Sequence, residues 1–460
     1  MTKKYISTSI AYINAEPHIG FLFELVAADV LARFQRQTGH DVFFLTGTDE
    51  HGTKVEQAAK AAGQEPQQFA DQLSAKFQAL GQEFAISSDY FIRTTDQAHI
   101  EFVTRAWEKL AQQGVIVKKS YEGFYCAGCE AFKTEKEIVE GECAIHQTPV
   151  EKISEENYFL LITEPVKDRI RAWAKEAIKP GNRVSEVLNV LEELNEVSAS
   201  RPVEKLQWGI PVPGDASQVI YVWIDALLDY LSGIEAAGQK IEDSWPGIQL
   251  IGKDILKFHA IIWPAMLLAL GYELPHRLIV HGWINFGGQK LSKSTGNVIL
   301  PSELKARYGV DGTRYLLLRQ LNFYDDSHFS WEEFDALYNG ELANGIGNLV
   351  ARVVGLLKKI NRPVKAELKV ASQDLAVADF AGALKAINDE VNAADQAISA
   401  LKLWENITED EEKQKELVVV AEKVAALADL LEPFTPSTSQ EIRRQLAELD
   451  PKPLFPRLNF

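Results

Sequence analysis

Tyr5-Ile6-Ser7-Thr8-Ser9-Ile10, followed by Asn14-Ala15-Glu16-Pro17 and then His18-Ile19-Gly20, decides how this chain of 460 residues folds. The first six residues are β-branched and aromatic and read as a strand. The next four form a polar turn. From Phe21 to Gln37, Leu25, Ala28, Leu31 and Phe34 recur at helical spacing, and Gly39 ends the run. Asp41 to Leu45 is a second apolar strand. Strand, glycine-containing turn, helix and strand make one βαβ unit, the building block of a parallel, doubly wound sheet. The expected fold class is α/β.

Chemistry starts at the helix entry. His18 and Gly20 stand where free backbone N–H groups can admit a phosphate, although a histidine there also serves as a plain cap. Far along the chain, Lys290-Leu291-Ser292-Lys293-Ser294 sets two lysines three apart in a small polar loop. Flexible ammonium groups suit the spreading charge of a departing pyrophosphate. Between these segments lie the chain's three cysteines, Cys126-x-x-Cys129, thirteen residues, then Cys143-x-x-His146. Two ligand pairs on tight knuckles match tetrahedral zinc with no open position, so this metal is expected to be structural. Glu135, Lys136, Glu137 and Glu140 read as an exposed loop between the pairs.

With these motifs in hand, the chain resembles the class I aminoacyl-tRNA synthetases, and within them the methionyl-tRNA synthetase family along essentially its whole length. The residues carrying the resemblance are Ala15 to Gly20, Phe43 to Gly52, Trp208 to Pro211, Tyr221 to Ala226, Ile251 to Ile255, Gly347 to Val350 and the Lys290 loop. The resemblance implies ATP-dependent activation of L-methionine and its transfer to the 3′-terminal adenosine of tRNA(Met), with magnesium accompanying ATP. It places Ile10, Tyr12, Asp49, Trp223, Tyr230, Phe258 and His259 around the amino acid. It puts His18, Gly20, Glu24, Asp254, Lys290 and Lys293 at ATP, with His18 and the two lysines catalytic. Asn348, Arg352 and Trp404 fall where relatives read the anticodon, while Leu403 stands where relatives often carry proline.

One position departs from the family pattern. Phe21 occupies the place of the second histidine of the HIGH signature. Losing one such donor costs about 10²–10³ in rate. Slower activation is expected, and a tRNA-binding regulatory paralogue is the alternative function. The isoleucine, valine and leucine enzymes of the class carry an editing insertion too large for 460 residues.

The expected division is a nucleotide-binding (Rossmann-type) first half at 1–114, a zinc-knuckle insertion at 115–216, and the second half of the catalytic domain at 217–300. A connector at 301–337 and an α-helical anticodon-binding bundle at 338–460 follow. Glu156 to Leu160, Val219 to Trp223 and Ile248 to Ile251 read as strands. Leu342 to Ile360 and Val418 to Leu431 carry helical stripes, and Glu409 to Glu412 reads as a solvated loop. The net charge of −17 argues superficially against nucleic acid, yet local patches decide phosphate affinity. Lys290, Lys293, Lys305, Arg307, Arg314 and Arg319 form one basic cluster, and Arg352, Lys358, Lys359 and Arg362 another. No 18-residue apolar run suggests a membrane span, and a strand beginning by Tyr5 leaves little room for a leader. Thiols assigned to zinc suit a reducing cytoplasm. Because the chain stops soon after its helical region, a monomer is expected.

Overall fold

A computed structural model describes residues 3–128, 131–133, 137–145, 147–286, 289–290, 299–364 and 378–459. Its centre is a seven-stranded sheet in which every pairing is parallel. The strands are β1 (Lys4–Ser7), β2 (Ala11–Tyr12), β3 (Val42–Asp49), β4 (Tyr90–Arg93), β5 (Ile178–Lys179), β6 (Ile248–Gly252) and β7 (Arg277–His281). Their order is β5-β7-β6-β1-β3-β2, with β4 also on β3. Ile6 pairs with Phe44 on one side and Ile248 on the other. All eight residues of β3 are buried, as a strand covered on both faces requires. Helix α1 (Ile19–Gln37) makes the crossover and is buried on nearly every face, because helices of the C-terminal half cover the side turned from the sheet.

The expected first strand, Tyr5 to Ile10, is broken in two. The Ser9 amide and hydroxyl turn onto Glu24 of α1 at 2.6 and 2.7 Å, and pairing resumes only at Ala11. Val219 to Trp223 is a larger correction. Only Val219 and Ile220 are strand, the last two residues of Asp215–Ile220, which lies in a small antiparallel sheet and not in the central one; Val222–Ala226 is then a short helix. The central sheet resumes instead within 115–216, where Ile178 pairs with Leu278.

The segment that holds the cysteines is built on a long antiparallel pair, Ile116–Cys126 with Glu151–Leu161. The expected strand Glu156 to Leu160 lies inside the second of these. Beyond residue 300 the expected connector begins as a helix, Pro301–Gln320, whose Tyr315 to Leu318 enter the core. Gly309 interrupts it at φ 71°, a left-handed conformation that glycine adopts without strain. Helices Asn348–Lys359, Phe380–Ala400, Glu411–Leu431 and Pro436–Glu448 follow. The supposed acidic loop is partly a helix start, where Asp410 accepts from the amides of Glu412 and Lys413 at 3.1 Å each. Among the described residues no helix is long and apolar enough to cross a membrane.

Candidate active site

The carboxyl ends of the parallel strands, with the start of α1, enclose a cavity of about 600 Å³. Ligands of open α/β sheets bind at this end. His18 caps α1, and its Nδ1 accepts from the Gly20 amide at 3.0 Å. With Nδ1 accepting, the ring carries its proton on Nε2, a donor suited to an anion. A Cβ on Gly20 would stand 2.9 Å from His18 Cε1, so only glycine lets the ring fold back over the helix start. Capping and anion binding are therefore compatible roles for one side chain. Phe21 lines the same cavity and rests edge-on against Phe77, ring centres 5.0 Å apart.

Glu24 is buried beside this entry. It accepts from Ser9 and, at 2.9 Å, from His281 Nε2. His281 Nδ1 sits 2.8 Å from the Gly282 carbonyl, so both ring nitrogens donate and the imidazolium is favoured. Burial alone would lower the His281 pKa, but the hydrogen bond and charge of Glu24 outweigh it and raise the ring above its ordinary value. Asp254 accepts from the Trp283 indole at 3.3 Å, and both line the cavity.

At the far side lies an aromatic slot. Trp223 stacks on Phe258, centres 3.8 Å apart and 5° from parallel, with His259 edge-on to the indole. Ile10, Tyr12, Asp49, Trp223, Tyr230 and His259 line the cavity; Phe258 backs the indole from behind instead. His259 Nδ1 faces the Ile255 carbonyl at 3.0 Å and must donate to it, so Nε2 accepts from the Tyr230 hydroxyl at 2.7 Å. Burial drops the His259 pKa from 6.5 to about 4 and keeps the slot uncharged. A depressed histidine contributes stability in full above pH 6.5 and loses it as the pH falls toward the native value. Between pH 6.5 and 5 the loss should be about 2 kcal/mol, at ~1.4 kcal/mol per unit. Urea melts of wild type and His259→Gln should diverge by that amount over this window; parallel curves would contradict it.

Of the lysine loop, only the Gln289–Lys290 backbone is among the described residues. Gln289–Lys290 pairs with Asn285–Phe286 and so returns beside the cavity wall at Ile284, whereas Lys293 lies outside the described residues. Cys126 and Cys143 are buried, and Cys126 Sγ lies 3.9 Å from Thr148 Oγ1; Cys129 and His146 fall outside the described residues. Buried thiols at strand ends fit the expected soft-ligand set as far as it is described.

A second cavity of about 420 Å³ opens on the helical half, lined by Arg352, Lys359, Ile398 and Trp404 among others. The Arg352 guanidinium lies 5.9 Å from the Trp404 ring centre and is ion-paired with Asp395. Trp404 is 45% exposed. Asn348 sits one turn before Arg352, exposed but off the cavity wall. In the other basic cluster, the four members whose side chains are described are ion-paired within the protein. Arg314 is fully buried against Asp29, and Arg307, Arg319 and Lys305 pair with Asp335, Glu341 and Glu83.

Ser9, Lys54, Phe77, His281 and Trp283 also line the main cavity and were not named as site residues from the sequence. A signal for His281 existed: it ends an apolar strand, and strand ends are where such sheets place ligands.

This geometry accords with the comparisons. A family model described as tRNA synthetases class I (M) matches residues 4–150 and 136–354. The chain is thus a class I tRNA synthetase in fold and signature. The methionine–tRNA ligase of Streptomyces coelicolor is 39% identical over 480 residues, covering 95% of this chain and 88% of its own length. That of Thermotoga maritima is 44% identical over 368 residues, 78% of this chain and 58% of that protein. Mycobacterium tuberculosis methionyl-tRNA synthetase in complex with methionyl-adenylate superposes with a TM-score of 0.89 at 34% identity, over 99% of this chain and 100% of that one. The chain belongs to the methionyl-tRNA synthetase family.

Proposed function

We propose that the protein is a methionine–tRNA ligase working in two displacements within the main cavity. The observation that carries this reading is the meeting of an uncharged aromatic slot with the His18, Glu24 and Asp254 end of one cavity. The slot suits a long polarizable side chain, for a thioether against aromatic edges gains roughly 0.3–1.5 kcal/mol. Asp49 receives the substrate ammonium. The methionine carboxylate then attacks the α-phosphorus of ATP, and pyrophosphate leaves. His18 donates from Nε2 to phosphate oxygen, Lys290 and Lys293 offset charge on the departing group, and Glu24 and Asp254 hold the ribose side. Magnesium travels with ATP and neutralises its phosphates. The terminal 2′-hydroxyl of tRNA(Met) next attacks the activated carbonyl and releases AMP, so no protein nucleophile is needed.

ATP–pyrophosphate exchange with methionine, cysteine, leucine, isoleucine and valine tests the reading. Exchange with methionine alone supports it. Absence of exchange with all five, in folded protein, would favour the tRNA-binding paralogue. Phe21 bears on the same assay: Phe21→His restores a donor on the cavity wall and should raise the activation rate by tenfold or more, within the ~10²–10³ that one such donor supplies. An unchanged or lower rate would mean that another group already replaces it.

Arg352 and Trp404 support anticodon recognition, since a half-exposed indole beside a guanidinium suits unpaired bases, with Asn348 one turn away. We assign 1–114 and 217–300, together with the central-sheet strand Ile178–Lys179, to the catalytic domain, the remainder of 115–216 to the insertion with its zinc knuckle, 301–337 to the connector and 338–460 to the anticodon bundle. Cys126, Cys129, Cys143 and His146 would hold one zinc, whose chemistry is structural. Metal analysis should find about one zinc per chain, lost in Cys126→Ser; folded wild type without metal would refute this. A cytoplasmic monomer fits the cysteine usage and the ion-paired surface.

A further inference from the structure

A buried polar chain ties together the two walls of the amino-acid slot without lining the cavity. Asp225 follows Trp223 by two residues on the short helix Val222–Ala226, and His51 follows Asp49 by two residues at the end of β3. His51 Nδ1 lies 2.7 Å from Asp225 Oδ2, and His99 Nε2 lies 2.7 Å from Asp225 Oδ1. Both histidines therefore donate to one carboxylate and occupy both of its oxygens. His99 Nδ1 is in turn 2.7 Å from Ser232 Oγ on the following helix, Asp229–Ala236. All four side chains are buried.

The segment carrying Asp49 is held from its other side as well. The Trp208 indole donates to the Glu50 carbonyl at 2.5 Å, the Gly52 amide donates to the Trp208 carbonyl at 3.1 Å, and the indole edge meets His51 at 5.3 Å. Arg93 grips the Glu50 carboxylate with two bonds of 2.8 Å. Of residues 49–52, only Asp49 lines the cavity. So much buried polar structure serves one exposed-to-substrate carboxylate on one wall and one indole on the other.

We propose that His51, Asp225 and His99 are positioning residues that fix the Asp49 carboxylate relative to the Trp223 indole, and so set the affinity for the amino acid while leaving ATP binding alone. The proposal rests on the reading of this slot as the methionine site. The bridge joins the two groups that grip opposite ends of the substrate, the ammonium and the thioether. Letting them drift shifts the substrate as a whole, and misplacement by about 1 Å can cost ~10²-fold.

The test is methionine-dependent pyrophosphate exchange in wild type, His51→Leu, His51→Asn and Asp225→Asn. His51→Leu and Asp225→Asn should each raise the KM for methionine by ~10-fold to 10²-fold, with the KM for ATP and kcat changed by less than about twofold. Asn at 51 keeps an N–H near the position of Nδ1 and should return the methionine KM most of the way to wild type. A cooperative thermal melt checks each variant; if His51→Leu does not fold, Asp225→Asn decides. Unchanged methionine KM, or a parallel loss in both substrates, would overturn the bridge while leaving the enzyme reading intact. A wild type that exchanges with other amino acids but not methionine would overturn both.

Discussion

Asp49→Asn is expected to raise the KM for methionine by roughly 30-fold to several thousand-fold. The carboxylate ends β3, is only 6% exposed, and lines the same cavity as the indole of Trp223. An ammonium docking there leaves water, and a counter-charge in this setting matters far more than on the surface. Removing one partner of a buried charge pair costs about 2–5 kcal/mol, much of it the cost of leaving the other charge unpaired. At 1.4 kcal/mol per tenfold, that gives the stated range. Asparagine keeps the shape, so the fold and the KM for ATP should stay near wild type. An equal rise in both KM values would instead indicate that Asp49 acts on the cavity as a whole.

Arg314→Met should cost about 3–5 kcal/mol of stability, the usual effect of breaking a buried ion pair from one side. Arg314 is fully buried and donates to Asp29 at 2.7 Å and to the carbonyls of Phe84, Pro433 and Phe434 at 2.8 to 3.0 Å. Methionine fills the space but leaves three carbonyls and part of a carboxylate unsatisfied. Burial would raise the Asp29 pKa, yet Arg314, Arg33 and Ser87 outweigh it and hold the carboxyl below its ordinary value. A depressed carboxylate contributes stability above its unfolded value, 3.8, and loses it as the pH falls through the native one. Thermal melts should therefore separate wild type from Asp29→Asn at pH 7 and bring them together only below the ordinary carboxylate range. A gap that closes between pH 7 and 5 would mean that other groups carry the effect.

The βαβ opening was legible because its signals are local: β-branched runs, a glycine stop, and a helix long enough to show its period. The breaks came where one local signal served two structures. Val219 to Trp223 reads as a single strand, but its apolar run spans the end of a strand and the slot wall, and a five-residue helix is too short to display a period. Residues 409–412 look like solvated charge, yet the Asp410 cap depends on which amides lie beyond it. Arg314 looked like part of a basic surface because sequence proximity says nothing of a carboxylate 285 positions away. The same holds within the site. Glu24 and His281 are 257 residues apart and meet only because α1 begins beside the end of β7, so motif spacing could not pair them.

The grip of α1 on the C-terminal helices has a practical meaning for anyone cutting the gene. Arg33 pairs with Glu432, Gln37 donates to the Asp429 carbonyl, and Arg314 bonds the backbone at Pro433 and Phe434, while one continuous core runs from α1 into the bundle. A shortened version ending near residue 338 would expose the apolar face of helix Pro301–Gln320, the helix on which α1 packs, and would remove the partners of Arg33, Gln37 and Arg314. Such a fragment should be recovered as aggregate, and a hybrid given another protein's C-terminal helices would need the Glu432 to Phe434 turn transplanted along with its recipient surface. The C-terminal helices are therefore not a detachable module: they carry the turn to which the helix bearing His18 is tied.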